Sequence, residues 1–203
     1  MTRTIGTYVG ALLLMAAAPV MAQETTPAPG TLEVTVIPAG ATYVMSKDAR
    51  PDFADYTYGG ALAYNITPIL GIEGEVSGTA GIAQDLTFNA ATSHVKTPMT
   101  LDYTGNVVLS ANTGRAVVPF VTAGVGGLTM FERAELGVDD VQTFLTGNVG
   151  GGVKWYAPNR RWGIRGDYRF TAIRANDDSP SFLGQDTRYE HRLYVGVVIR
   201  ALR

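Results

Sequence analysis

Residues 162–170 read WGIRGDYRF, and the way they alternate decides the fold. In an extended chain Trp162, Ile164, Gly166, Tyr168 and Phe170 share one face, and Gly163, Arg165, Asp167 and Arg169 share the other. Large apolar groups on one side and ionised groups on the other, with a period of two, mark a half-polar β-strand running from about Arg161 to Ile173. Towards the C-terminus, Thr187–Leu202 repeats the arrangement, with Leu193, Val195, Val197 and Ile199 opposite Arg188, Glu190, Arg192 and Arg200.

Reading outward from that pair, the alternation predicts six earlier strands. They cover about Thr31–Met45, Asp55–Ile66, Ile69–Gly78, Met99–Ala111, Ala116–Phe131 and Gln142–Tyr156. Thr67-Pro68, Asn112-Thr113-Gly114-Arg115 and Ala157-Pro158-Asn159-Arg160 are tight-turn signals and join successive strands as hairpins. The remaining connections, about 46–54, 79–98, 132–141 and 174–186, are long. Short turns alternating with long loops, on strands that each reach the length of a tilted membrane span, point to an eight-stranded antiparallel up-and-down transmembrane β-barrel. Both chain ends then lie on the short-turn, periplasmic side.

Alternation alone does not say which face meets a core and which meets lipid. The apolar face is aliphatic and aromatic in nearly every strand, as a lipid-facing band requires. Aromatic residues gather near strand ends, with Tyr64, Trp155, Tyr156 and Trp162 beside the turns and Tyr58, Tyr103, Phe131, Phe170 and Tyr189 nearer the loops. They are the expected interfacial girdles. The polar face collects Glu33, Glu73, Glu75, Asp102, Asp167 and Glu190 against Lys154, Arg165, Arg169, Arg188, Arg192 and Arg200. Acids and bases balance there, which predicts a barrel interior plugged by ion pairs, because unpaired buried charges are costly. Closure makes the last and first strands neighbours, so Glu33 and Arg200 are a specific expected pair. A soluble periplasmic ligand-binding barrel would put the apolar face inside, and a narrow pore would need the inner charges not to meet.

Composition agrees with this class. The chain has 203 residues, 46% hydrophobic and 17% charged, with 24 glycines and no cysteine. The absence of cysteine excludes disulfides and thiolate metal sites, and a net charge of −2 without basic blocks excludes a nucleic-acid partner. Glycines cluster at Gly124, Gly126 and Gly127 and at Gly147, Gly150, Gly151 and Gly152, in neighbouring strands, where they ease curvature and leave room for long arginines. GNVGGGVK lacks the Gly-Lys-Ser/Thr and helix of a phosphate-binding loop. Residues 1–22, with Arg3, an apolar centre and the triplet Val20-Met21-Ala22, read as a cleavable secretory signal. Residues 23–30 form a flexible Thr/Pro lead-in, and 31–203 form the barrel domain.

The stretches VVPFVTAGVGGL (117–128), GNVGGGVKWY (147–156), WGIRGDYRF (162–170) and LYVGVVIRAL (193–202) resemble the small OmpA-like β-barrel superfamily of Gram-negative outer membranes. That resemblance implies an integral outer-membrane barrel in contact with lipid and lipopolysaccharide, inserted by the barrel-assembly machinery. It also implies a structural or adhesion-like surface role, since members include structural barrels and adhesins. The chain departs from the family in closing on Ala201-Leu202-Arg203, without the usual terminal aromatic. No enzyme, cofactor or metal site is expected. His94 sits beside Ser93 in the longest loop, and His191 falls on the apolar face between Glu190 and Arg192, so neither is placed for an acid–base relay. Loop acids Glu132, Glu135, Asp139 and Asp140, and Asp177, Asp178 and Asp186, offer a surface for cations or a basic extracellular protein partner.

Overall fold

A computed structural model of the chain describes residues 27–46, 51–88, 91–136, 138–158, 161–175 and 187–202. The expected leader, residues 23–26 of the lead-in, Asn159-Arg160, and the loop acids Asp177, Asp178 and Asp186 lie outside these residues. The strands are β1 Thr31–Ser46, β2 Phe53–Asn65, β3 Leu70–Ala80, β4 Ala83–Phe88, β5 Ala91–Lys96, β6 Thr100–Ser110, β7 Val117–Met130, β8 Gln142–Tyr156, β9 Trp162–Ile173 and β10 Arg188–Leu202. Eight of them close a barrel in the order β1-β10-β9-β8-β7-β6-β3-β2, each antiparallel to its neighbours. The expected up-and-down topology is therefore the observed one.

One connection differs from expectation. Residues 79–98 are not an irregular loop: β3 runs on to Ala80, and β4 and β5 form a separate two-stranded hairpin in the register Ala83↔Lys96 to Phe88↔Ala91. Their six residues each carry too few apolar side chains for alternation to stand out. Among its described residues the connection after β7 holds a 3-10 turn, Ala134–Leu136, inside a bridge between Arg133 and Val138.

Closure rests on the β1–β10 ladder, which runs from Leu32↔Leu202 to Ser46↔Arg188. It is interrupted between Val36 and Ala39, where Pro38 has no N–H to give, and on the β2 side between Ile37 and Gly40. Tyr56 donates its hydroxyl hydrogen to the carbonyl of Pro38. At the start of β1, the Gly30 N–H bonds to the Asn65 carbonyl at 2.7 Å, tying the end of the lead-in to the barrel wall.

β6 shows the alternation without a break: every residue from Thr100 to Ser110 switches between buried and exposed. The polarity is reversed from that of a water-soluble domain. Arg165 and Arg169 are 0% exposed, whereas Leu193 and Val125 are 62% and 69% exposed. A soluble barrel with a greasy interior would show the opposite.

Two glycines show why β7 and β8 are so poor in side chains. A Cβ at Gly126 would lie 2.0 Å from the Tyr103 carbonyl oxygen, and one at Gly150 would lie 2.3 Å from the Tyr168 carbonyl and 3.1 Å from Arg169 Cδ. Gly105, on the outer face of β6, has nothing within 4 Å of that position. Gly126→Ala should therefore cost about 1–3 kcal/mol through overpacking, and Gly105→Ala close to nothing. Urea unfolding of the two variants in lipid vesicles checks this, and equal losses would contradict it.

Candidate functional site

The barrel interior holds the polar side chains, and β10 sets out their order. From the short-turn end to the long-loop end its inward residues are Arg200, Val198, Gly196, Tyr194, Arg192, Glu190 and Arg188.

Nearest the short turns, Glu33 is the hub. Lys154 Nζ lies 2.8 Å from Glu33 Oε2, the Tyr156 hydroxyl donates to Oε1 at 2.7 Å, and Arg200 Nη2 approaches Oε1 to 3.8 Å. Glu33 and Arg200 are also ladder partners. The shortest ion pair of Glu33 is nevertheless with Lys154 of β8, across the lumen, and that partner was not identified from the sequence. Arg200 is 16% exposed at the rim and lies over the Tyr156 ring at 5.3 Å. Val118, Tyr156 and Val198 form a small apolar layer at this end.

At mid-height Arg165 and Arg169 of β9 are laced to three acids. Arg165 bonds to Glu73 through Nη1 and through Nη2, the latter at 3.2 Å, and its Nε donates to Asp167 at 2.9 Å. Arg169 reaches Glu73 at 2.8 Å, Glu75 at 3.1 Å and Asp167 at 3.1 Å. The Tyr194 hydroxyl donates to Glu75 at 2.8 Å, and the Arg165 guanidinium lies 4.6 Å from the Phe120 ring centre. Guanidinium–carboxylate pairs of this kind tie β9 to β3 across the barrel interior.

Nearer the long loops Arg192 is shared among Glu75, Asp102 and Glu190 at 3.4, 3.8 and 3.6 Å, and it donates to the Ser77 hydroxyl. Arg188 Nη1 donates to the Pro51 carbonyl at 2.8 Å. Of the twelve charged side chains expected inside, eleven are buried and Arg200 is partly exposed at the rim. Asp55 joins them: it is buried, accepts from the Thr97 hydroxyl, and was missed because it stands at the edge of its predicted strand. Tyr194 was missed as well, although its even position on β10 placed it with the charges.

Above the charges lies an apolar stopper. Val44, Phe53, Leu128, Met130, Phe144 and Ile173 of the barrel pack with Leu86 of β4 and Val138 of the β7–β8 connection. The hairpin is held down by Gln84, whose amide accepts from Ala54 N–H at 3.1 Å and donates to the Ala54 carbonyl at 2.7 Å.

The aromatic set needs one correction. Tyr156 does not belong to the outer girdle: it is 2% exposed and points into the lumen. Trp155 and Tyr156 are adjacent in β8, so pleating sends them to opposite faces. Tyr64, Trp155, Trp162, Tyr58, Tyr103 and Phe131 are exposed on the outside, Trp155 and Trp162 meet edge to face at 5.8 Å, and Phe170 stacks on Tyr189 at 5.5 Å. His191 also faces outward, with Nδ1 2.7 Å from the Tyr168 hydroxyl. His94 pairs with Asp85 across the exposed hairpin at 2.8 Å. Among the described residues no group of His, Cys, Asp and Glu is arranged to hold a metal ion.

Comparison with known proteins supports the same class. No curated protein matches the sequence. Among solved structures, Neisserial surface protein A aligns with a TM-score of 0.61 and 14% identity over 85% of this chain and 97% of that one. Ail, the attachment invasion locus protein of Yersinia pestis, aligns at 0.53 and 14% over 85% and 99%. The outer membrane protein OprG from Pseudomonas aeruginosa aligns at 0.50 and 14% over 87% and 98%. These likenesses concern the fold. The sequence model for the outer membrane protein beta-barrel domain matches residues 9–200, so the chain belongs to that family of outer-membrane β-barrels.

Proposed function

We propose that the chain is a non-enzymatic barrel of the cell outer membrane, exported by its N-terminal signal, with a structural or surface-interaction role and an interior closed by ion pairs. The observation that carries this reading is the two buried ion-pair clusters, Glu33 with Lys154 and Glu73, Glu75 and Asp167 with Arg165, Arg169 and Arg192, on a barrel whose outside is apolar. At mid-height Arg165 and Arg169 are each held by carboxylates of β3 as well as by Asp167 of their own strand, so these groups take up much of one another's bonding capacity. Nearer the loops, neither carboxylate oxygen of Asp102 or of Glu190 accepts a hydrogen bond among the described residues. The apolar stopper under β4–β5 blocks water at the outer mouth in addition.

The surface role rests on the loop end. The β4–β5 hairpin forms a sheet separate from the barrel, and in the β7–β8 connection Glu132, Glu135, Asp139 and Asp140 are exposed, with Arg133 at 3.0 Å from Glu135 as the one base among that connection's described residues. That surface suits a basic partner, or lipopolysaccharide phosphates bridged by divalent cations. Ail has been crystallised with the heparin analogue sucrose octasulfate. A polysulfated ligand is a poor electrostatic match for this acidic connection, so the partner chemistry here is the reverse.

Membrane fractionation with a heat-modifiable gel shift, followed by planar-bilayer recording, tests the reading. The protein is expected in the outer-membrane fraction, with no sustained conductance steps. Recovery in soluble form without detergent would overturn the membrane assignment, and steady conductance would overturn the closed interior.

A further inference from the structure

The barrel interior is unevenly charged along its height. At the turn end Glu33 faces two bases, Lys154 and Arg200, and at mid-height Glu73 and Asp167 match Arg165 and Arg169. Nearer the loops Asp55, Glu75, Asp102 and Glu190 are buried with Arg192 and Arg188, four acids against two bases among the described residues. The loop half therefore carries an excess of two negative charges under an apolar roof.

That excess falls on two side chains. Asp102 of β6 and Glu190 of β10 are 2% and 1% exposed, and neither oxygen of either carboxylate accepts a hydrogen bond among the described residues. Both lie against one guanidinium, that of Arg192, at 3.8 and 3.6 Å. Those separations are beyond hydrogen-bond length, and Arg192 makes its shorter contacts with Ser77 and, at 3.4 Å, with Glu75. Thr171 of β9 is the ladder partner of Glu190, and its buried hydroxyl also has no hydrogen-bond partner among the described residues. Two carboxylates left in this condition away from water are costly unless a cation offsets them.

The arrangement selects the kind of cation. Among the described residues no group of three or more His, Cys, Asp or Glu side chains converges to replace an ion's water. An ion of the magnesium type needs fewer protein ligands, because it gives up water reluctantly and is held through one or two carboxylates. Its charge also equals the local excess.

We infer that Asp102 and Glu190 hold a hydrated divalent cation inside the loop half of the barrel, sealed from outside by the stopper to which Leu86 and Val138 contribute. The ion's retained waters give the remaining carboxylate oxygens the donors that the protein does not supply, and the Thr171 hydroxyl bonds to the same shell. The site is distinct from the exposed acids of the β7–β8 connection. It lies beyond the closed-interior reading, since the ion adds to the plug and opens no path.

The full chain is folded into detergent micelles with Mn2+ as the probe, passed through excess chelator, and the Mn2+ it keeps is counted by electron paramagnetic resonance after acid release. Wild type is expected to keep about one Mn2+ per chain, because a chelator strips surface ions and does not reach the sealed lumen. Asp102→Asn combined with Glu190→Gln should lower retention by at least about tenfold, whereas Glu135→Gln combined with Asp139→Asn in the exposed connection should leave it unchanged. A heat-modifiable gel shift shows that each variant has folded. On the wild type alone, Mg2+ should slow unfolding in urea relative to chelator at matched ionic strength. No chelator-resistant Mn2+ in folded wild type, undiminished retention in the lumenal variant, or loss in the loop variant overturns the site. If the lumenal variant does not fold, equal wild-type unfolding rates in Mg2+ and in chelator overturn it. Each of these outcomes leaves the membrane assignment and the closed interior, tested by fractionation and conductance, as they stand.

Discussion

Arg165→Met should lower the unfolding free energy of the barrel in lipid vesicles by about 3–5 kcal/mol. Arg165 is 0% exposed and is bonded at once to Glu73 and Asp167, with its guanidinium over the Phe120 ring. Methionine matches much of the volume but leaves the two carboxylates with Arg169 as their one remaining ion-pair partner among the described residues. The cost arises from the charges left behind, so Glu73→Gln combined with Arg165→Met should be milder than the sum of the single changes. Arg165→Lys keeps the charge but not the fork, and should fall between wild type and Arg165→Met. Urea unfolding followed by fluorescence of Trp155 and Trp162 gives the values. A loss below about 1 kcal/mol for Arg165→Met would mean that the pair is screened by water, as surface pairs are, and would count against a closed interior.

The second large effect lies on the other face. Val195 is 55% exposed and stands midway along the outward row of β10, close to the centre of the apolar band. Val195→Arg should destabilise the vesicle-inserted barrel by about 2–4 kcal/mol, the cost of a cation at the bilayer midplane. In a soluble barrel the same substitution would add a harmless surface charge and improve solubility. The sign of the effect therefore separates lipid from water outside the barrel. An unchanged or raised unfolding free energy in vesicles would show that this face does not meet hydrocarbon. Val195 and Arg165 lie on opposite faces of neighbouring strands, so the two effects should add.

Much of the candidate site was legible because strand geometry is local. A period of two places Arg165, Asp167 and Arg169 on one face and Tyr168 on the other whatever the rest of the chain does. Tyr156 shows the cost of setting that rule aside: grouping it with Trp155 by residue type overrode the parity of β8. Asp55 was lost at a strand boundary, where alternation has too few neighbours to count. The β4–β5 hairpin was lost because its strands carry little apolar contrast. Leu86 and Val138, which help to close the outer mouth, come from connections whose own sequences carry no periodic signal.

The sequence by itself determined the up-and-down strand order, the hairpins with short turns, and which side chains share a face. The single long-range pair it specified, Glu33 with Arg200, followed from closure, which makes the first and last strands neighbours. Only the tertiary structure decided which groups meet across the lumen: Lys154 with Glu33, Arg165 and Arg169 with Glu73, and Arg192 among Glu75, Asp102 and Glu190. Those partners are set by the tilt of the strands and the stagger of the closed ladder, which fix the height of each side chain in the barrel and are not encoded in any one strand's pattern.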